Sequence, residues 1–230
     1  MTTLKLLSSM APRECLAAAI DAYQKRQPTR VDAQAAGGVD VARRIEAGEA
    51  MDLVVLSDDA IDKLCAGGHL ASADRKNLMT SGIAVGIRSG SGDLDLSSES
   101  AVKDAVLAAP SLSYSTGPSG RYLESLLARW GILDEIRSRI IVPPPGMPVA
   151  QLIASGRAAL GFQQLSELLN VPGIEIAGPL PHEIQHLTTF TGAVTTTSSH
   201  IAAAQAFLGF VASEALEAIR ARFGMSAARP

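Results

Sequence analysis

Residues 51–59 read Met-Asp-Leu-Val-Val-Leu-Ser-Asp-Asp. The run 51–56 is almost continuously apolar, the pattern of a strand covered on both faces, as a central strand of a parallel sheet is. Ser57, Asp58 and Asp59 follow without a gap. Side chains of this kind accept hydrogen bonds from the orphan amides of a first helical turn, so the strand is expected to pass directly into a helix that stops near Gly67 and Gly68. Strand, short polar turn and helix make one βα unit.

The same unit recurs on either side. Upstream, the apolar run 4–7 leads through Ser8-Ser9 into a helical pattern over 12–25, with Pro12 in the first turn, where its missing N–H costs nothing. A second strand over 29–33 is broken by Gly37-Gly38, and a helix over 39–47 ends at Gly48. Downstream, strands are expected over 83–87, 112–115 and 159–162 and helices over 98–108, 148–154 and 163–169. The turn Thr116-Gly-Pro-Ser-Gly120 opens a further helix that runs to Trp130. A Thr-rich extended stretch covers 184–194 and a helical pattern covers 200–223. Pro143-Pro144-Pro145 reads as a rigid bend. Alternating strands and helices predict an α/β fold with a parallel sheet between helical layers. Two blocks of this rhythm meet near residues 80–82.

The bulk numbers remove several function classes. The 230 residues are 47% hydrophobic and 19% charged, enough apolar material for a core. The 20 basic and 23 acidic residues are mixed along the chain, net −3, with no basic block to attract nucleic-acid phosphates. No run of 18 apolar residues occurs, so no membrane insertion is expected. The opening Met-Thr-Thr-Leu-Lys-Leu-Leu enters the first strand without the layout of an export signal. The expected location is cytoplasmic for the chain as written, and periplasmic if a leader was removed. Cys15 sits in a helical pattern beside Leu16 and is expected to be a buried thiol; with Cys65 it forms neither a disulfide framework nor a metal motif. His182 and His186 lie four apart on an extended stretch, no His-Glu-x-x-His or Gly-x-Ser-x-Gly occurs, and neither a metal nor another cofactor is predicted.

The informative positions are strand-to-helix turns, because ligands of open parallel sheets gather at the carboxyl ends of strands, where helix N-termini offer amides and a partial positive charge. Three turns stand out. Ser8 and Ser9 bring two hydroxyls. Gly37 and Gly38 let the backbone approach a ligand closely. Thr116, Gly117, Ser119 and Gly120 lead to Arg121 and Tyr122, and Arg121 is suited to two-point binding of a carboxylate.

These segments, in this order, resemble the type II periplasmic binding-protein family and, within it, the molybdate-binding-protein-like branch. The resemblance is carried by Leu6-Leu7-Ser8-Ser9-Met10-Ala11, by 37–48 with 52–57, by Gly117-Pro118-Ser119-Gly120-Arg121-Tyr122 with Leu126 and Gly131-Ile132, and by Gly161-Phe162-Gln163-Gln164-Leu165-Ser166. It implies two Rossmann-like lobes, residues 1–81 with 190–230 and residues 82–189, that close on a small anion in a cleft. Met147, Gln163 and Gln164 join the turn residues as implied ligand contacts. An ABC-transporter permease is the implied partner if the protein is exported. Gly37-Gly38 stand where molybdate binders of this kind place a serine, and Gln164 where they place a tyrosine. With Arg121, these differences favour an organic acid over a bare oxyanion. Some relatives of the branch resemble aconitate isomerase, so isomerisation of a small polycarboxylate is the alternative, with Glu14, Asp40 and His186 as candidate bases.

Overall fold

The computed structural model describes residues 2–144 and 147–228. It divides into two compact units, one from residues 1–80 and 188–230 and one from residues 81–187.

The first unit opens with β1 (Thr3–Ser9), α1 (Arg13–Gln24), β2 (Arg30–Ala36), α2 (Gly38–Glu46), β3 (Leu53–Ser57) and α3 (Asp58–Ala66). β1 pairs with β2 and β3, both parallel, Ser9 standing beside Ala36 and Ser8 beside Val55. The carboxyl ends of these three strands therefore lie along one edge of the sheet. Alternation sets the two faces. Leu4 and Leu6 enter a core with Cys15, Leu16 and Phe207, while Leu7 enters a second core with Val41, Val54, Leu56 and Ile61. All five residues of β3 are buried, which explains its continuous apolar run.

β4 (Lys76–Arg88) carries the chain into the second unit, which contains α4 (Glu99–Ala108), β5 (Leu112–Tyr114), α5 (Pro118–Arg129), α6 (Leu133–Ile136), α7 (Val149–Ala154), β6 (Leu160–Gln164), α8 (Leu165–Leu168) and β7 (Ile174–Pro179). β5 and β6 are parallel, with Tyr114 beside Phe162. β4 runs antiparallel to β6 and to β7. Gly161 lets α7 lie directly on β6, because a Cβ there would stand 2.3 Å from Ile153 Cδ1 and 2.7 Å from Val149 Cγ1. β8 (Leu187–Val194) returns the chain to the first unit, antiparallel to β3, and α9 (Ile201–Ala212), α10 (Glu217–Arg222) and β9 (Ser226–Ala227) complete it.

The sheets are thus mixed rather than purely parallel. β4 and β8, the strands that carry the chain out of the first unit and back, run against the βα direction. Other boundaries differ for local reasons. The helical pattern expected over 200–223 breaks at Ser213, an extended residue whose hydroxyl donates to Phe210 O at 2.6 Å. The buried Arg220 guanidinium donates to Val211 O and Ser213 O, closing the carboxyl end of α9. Ser57 occupies the N-cap of α3 but makes no side-chain cap bond. Residues 182–184 form a 3-10 turn ahead of β8. Of the three prolines read as a bend, Pro145 lies outside the described residues. Cys15 is buried, and burial, opposed by the nearby Arg220 charge, pushes its thiol up to about 11.

Asp52 ties the start of β3 to its neighbours. Its carboxylate accepts from the Lys5 amide at 2.9 Å and the Ser198 hydroxyl at 2.6 Å, with His200 Nδ1 at 3.2 Å. Burial pushes this carboxyl up, but the hydrogen bonds outweigh it and hold it below the usual carboxylate range. A carboxyl lowered by folding stabilises fully above its unfolded value of about 3.9 and loses that contribution as pH falls through the lower folded value. Asp52→Asn sets an amide against the Lys5 N–H. Urea unfolding at pH 7 is expected to show a loss of about 1–3 kcal/mol, with the gap to wild type narrowing in acid.

Candidate functional site

In the first unit, Ser8 and Ser9 end β1 on opposite faces, and both residues are buried. Ser9 Oγ has no hydrogen-bond partner. It faces the start of α2, where a Cβ built on Gly38 would stand 3.8 Å from Ser9 Cβ. Gly37 is the N-cap of α2 and supplies no side-chain cap. Its φ of −58° is open to any residue, and a Cβ there would meet nothing within 4 Å. Neither backbone strain nor packing in the fold demands glycine at 37, and the space above it is open. The first amides of α2 have no carbonyl one turn back to bind. A buried, unpartnered hydroxyl beside them makes a set of donors without an acceptor.

The turn after β3 has the opposite character. α3 begins with Asp58 and Asp59, and Asp58 already binds Arg75 at 2.6 Å and the Thr191 hydroxyl at 2.9 Å. This edge supplies its own anions.

In the second unit, the turn after β5 is organised by serines. Ser115 Oγ accepts from the Gly117 amide at 3.2 Å and lies 3.1 Å from Ser119 Oγ. α5 then starts with Gly117 as N-cap, no side-chain cap, Pro118 in the first turn and no acidic residue there. Arg121 stands exposed just after it. A cation beside a helix N-terminus adds to the positive end of the dipole instead of offsetting it. Thr116 is exposed at the same turn.

Two members of the predicted set serve the fold. Gly120 is buried, and a Cβ on it would stand 1.5 Å from the carbonyl oxygen of Ser115, so its hydrogen is what lets α5 close onto the strand end. Tyr122 donates its hydroxyl to Ile184 O at 2.8 Å and stacks on the His186 ring at 4.6 Å. Burial pushes its phenol up. Both positions lie beside the α5 turn, but their side-chain chemistry is spent inside the unit.

Gln163 and Gln164 belong to β6, where the sequence predicts a helix. Both are buried, and parallel pairing with β5 sets the end of β6 beside the 115–117 turn. Gln163 Nε2 donates to Glu167 at 2.8 Å, while Gln163 Oε1 is buried without a donor. Met147 is half-buried in the loop before α7. Among the candidate bases, Glu14 is ion-paired with Arg13 at 2.6 Å, Asp40 is ion-paired with Arg43, and His186 carries the Tyr122 stack. Ser115, which closes the expected strand over 112–115 and opens the turn after it, carries the hydroxyl that organises the start of α5. Among the described residues, no three His, Cys, Asp or Glu side chains group as a metal site would.

The chain matches the family model described as bacterial extracellular solute-binding protein over residues 4–226. It is 37% identical over 222 residues to an aconitate isomerase of a Pseudomonas species, covering 93% of this chain and 84% of that protein. Its fold is similar to the periplasmic molybdate-binding protein of Azotobacter vinelandii, with a TM-score of 0.82 at 18% identity over 98% of this chain and all of that one. It is also similar to L-phospholactate-bound PEB3, a Campylobacter jejuni protein, with a TM-score of 0.75 at 15% identity over 97% of this chain and 99% of that one.

The two glycine turns separate in a stability measurement. Gly120→Ala forces a Cβ into backbone and is expected to cost more than about 3 kcal/mol, beyond the usual range for overpacking. Gly37→Ala, with open space and a permitted backbone, is expected to change unfolding free energy by no more than about 1 kcal/mol. Equal losses in urea unfolding would contradict the packing role of Gly120.

Proposed function

Because the chain belongs to the bacterial extracellular solute-binding protein family, we propose that it binds a small organic acid anion at its strand-to-helix turns, first among them the start of α5. The observation that carries this is the start of α5, with no side-chain cap, no acidic residue in its first turn and Arg121 beside it. An anionic group there pairs with orphan amides and with a guanidinium together, and charge-assisted bonds of this type are about twice as strong as neutral ones. In the first unit, Ser9 with Gly37 and Gly38 offers a set of donors of the same kind. A bare oxyanion needs few donors and no long cationic arm, whereas Arg121 suits a larger, carboxylate-bearing ligand. The molybdate and phospholactate recognised by proteins of similar fold support an anion of this size range. Work outside the cytoplasm, delivering the anion to an ABC-transporter permease, follows from the family as part of the same proposal.

A second reading is favoured by one observation, the 37% identity to an aconitate isomerase. Moving a double bond in a polycarboxylate requires carboxylates held in place and charge developing on one of them stabilised, which amide turns and Arg121 would supply.

A thermal-shift panel of molybdate, sulfate, malate, citrate and the aconitates tests the binding proposal. A carboxylate at 100 times its Kd is expected to stabilise by about 2.7 kcal/mol, and Arg121→Ala to weaken binding by roughly tenfold or more. Absence of any shift with every anion would overturn it. Proton NMR of trans-aconitate with concentrated protein decides the second reading, since unchanged substrate after long incubation removes it.

A further inference from the structure

The carboxyl end of β6 gathers polar atoms that the second unit leaves unsatisfied. Gln163 Oε1 is buried with no donor. Ser81 Oγ and Ser166 Oγ are also buried without partners. Ser81 lies two residues before Ile83, which pairs with Gln164, and Ser166 lies two residues after Gln164. Each such atom costs free energy unless something binds it.

The three atoms are not chemically alike. A serine hydroxyl rotates and can donate to an anion or accept from a donor. Gln163 has no such choice. Its Nε2 is held at 2.8 Å by the Glu167 carboxylate, which can only accept. Flipping the amide would set oxygen against oxygen. Glu167 therefore fixes Gln163 as an acceptor at its other end, and a fully deprotonated oxyanion presents nothing for it to accept.

Resting on the binding proposal above, we propose that Gln163 is a specificity-determining residue whose Oε1 accepts a hydrogen bond from a hydroxyl on the bound anion. The preferred ligand class is then hydroxycarboxylates, with a carboxylate on the α5 amides and Arg121 and the hydroxyl on Gln163. A des-hydroxy analogue leaves the glutamine oxygen orphaned, and sites built to bind a hydroxyl reject analogues that lack it.

Calorimetric titration of matched pairs tests this on the intact chain, malate against succinate and citrate against tricarballylate. The hydroxyl-bearing member of each pair is expected to bind at least about tenfold more tightly. Gln163→Leu is expected to erase that preference, bringing the two members of each pair to within about threefold of one another. Equal affinities within both pairs for the wild-type protein overturn the specificity role while leaving anion binding intact. Failure of all four acids to bind overturns this inference; if the oxyanions and aconitates also fail, the binding proposal falls with it. The wild-type comparison needs no variant to fold.

Discussion

Parallel pairing of strands is the constraint on which the rest depends. Where β1, β2 and β3 run side by side, and where β5 and β6 do, every helix that follows starts at the same edge of its sheet. Each start brings amides with no carbonyl behind them. The fold thus concentrates unused donors whatever the turns contain, and the turn residues decide what becomes of them. At α3 the chain places Asp58 and Asp59 there. At α2 and α5 it places glycine caps without side-chain bonds, a buried serine in one case and an arginine in the other. The selectivity of the edge lies in this contrast.

The electrostatics point in the same direction as the geometry. An arginine beside a helix start adds to the positive end of its dipole and favours an anion there. Gly37 lies in open space with an unstrained backbone, so the fold itself gives no reason for the absence of a side chain. Gly120 is the counterexample within the same candidate set, a glycine that strand–helix packing demands. Two residues of one type thus divide between ligand turn and packing according to what a single carbon atom would touch.

Much of this was legible in the sequence. The apolar run at 51–56 announced a strand covered on both faces, and the serine and glycine turns marked the helix starts. The reversed strands were less visible, because alternation reports which face a residue occupies and is silent on strand direction. β7 went unanticipated since it is only half-buried and is punctuated by Gly178 and Pro179. Gln163 and Gln164 read as the start of a helix because glutamine favours helices, yet pairing with Ala84 and Ile83 of β4 holds them in a buried strand. The break at Ser213 was hidden because its cause, capping by Arg220 seven residues later, is not a local signal.

The central claim is that backbone amides at the start of α5 grip the ligand. Amide chemical shifts, followed by nitrogen–proton correlation NMR as citrate is titrated in, test it most directly. The largest shifts are predicted to fall on Ser119, Gly120 and Arg121, saturating together at one Kd. Shifts confined to other parts of the chain, with these amides unmoved at saturation, would contradict it.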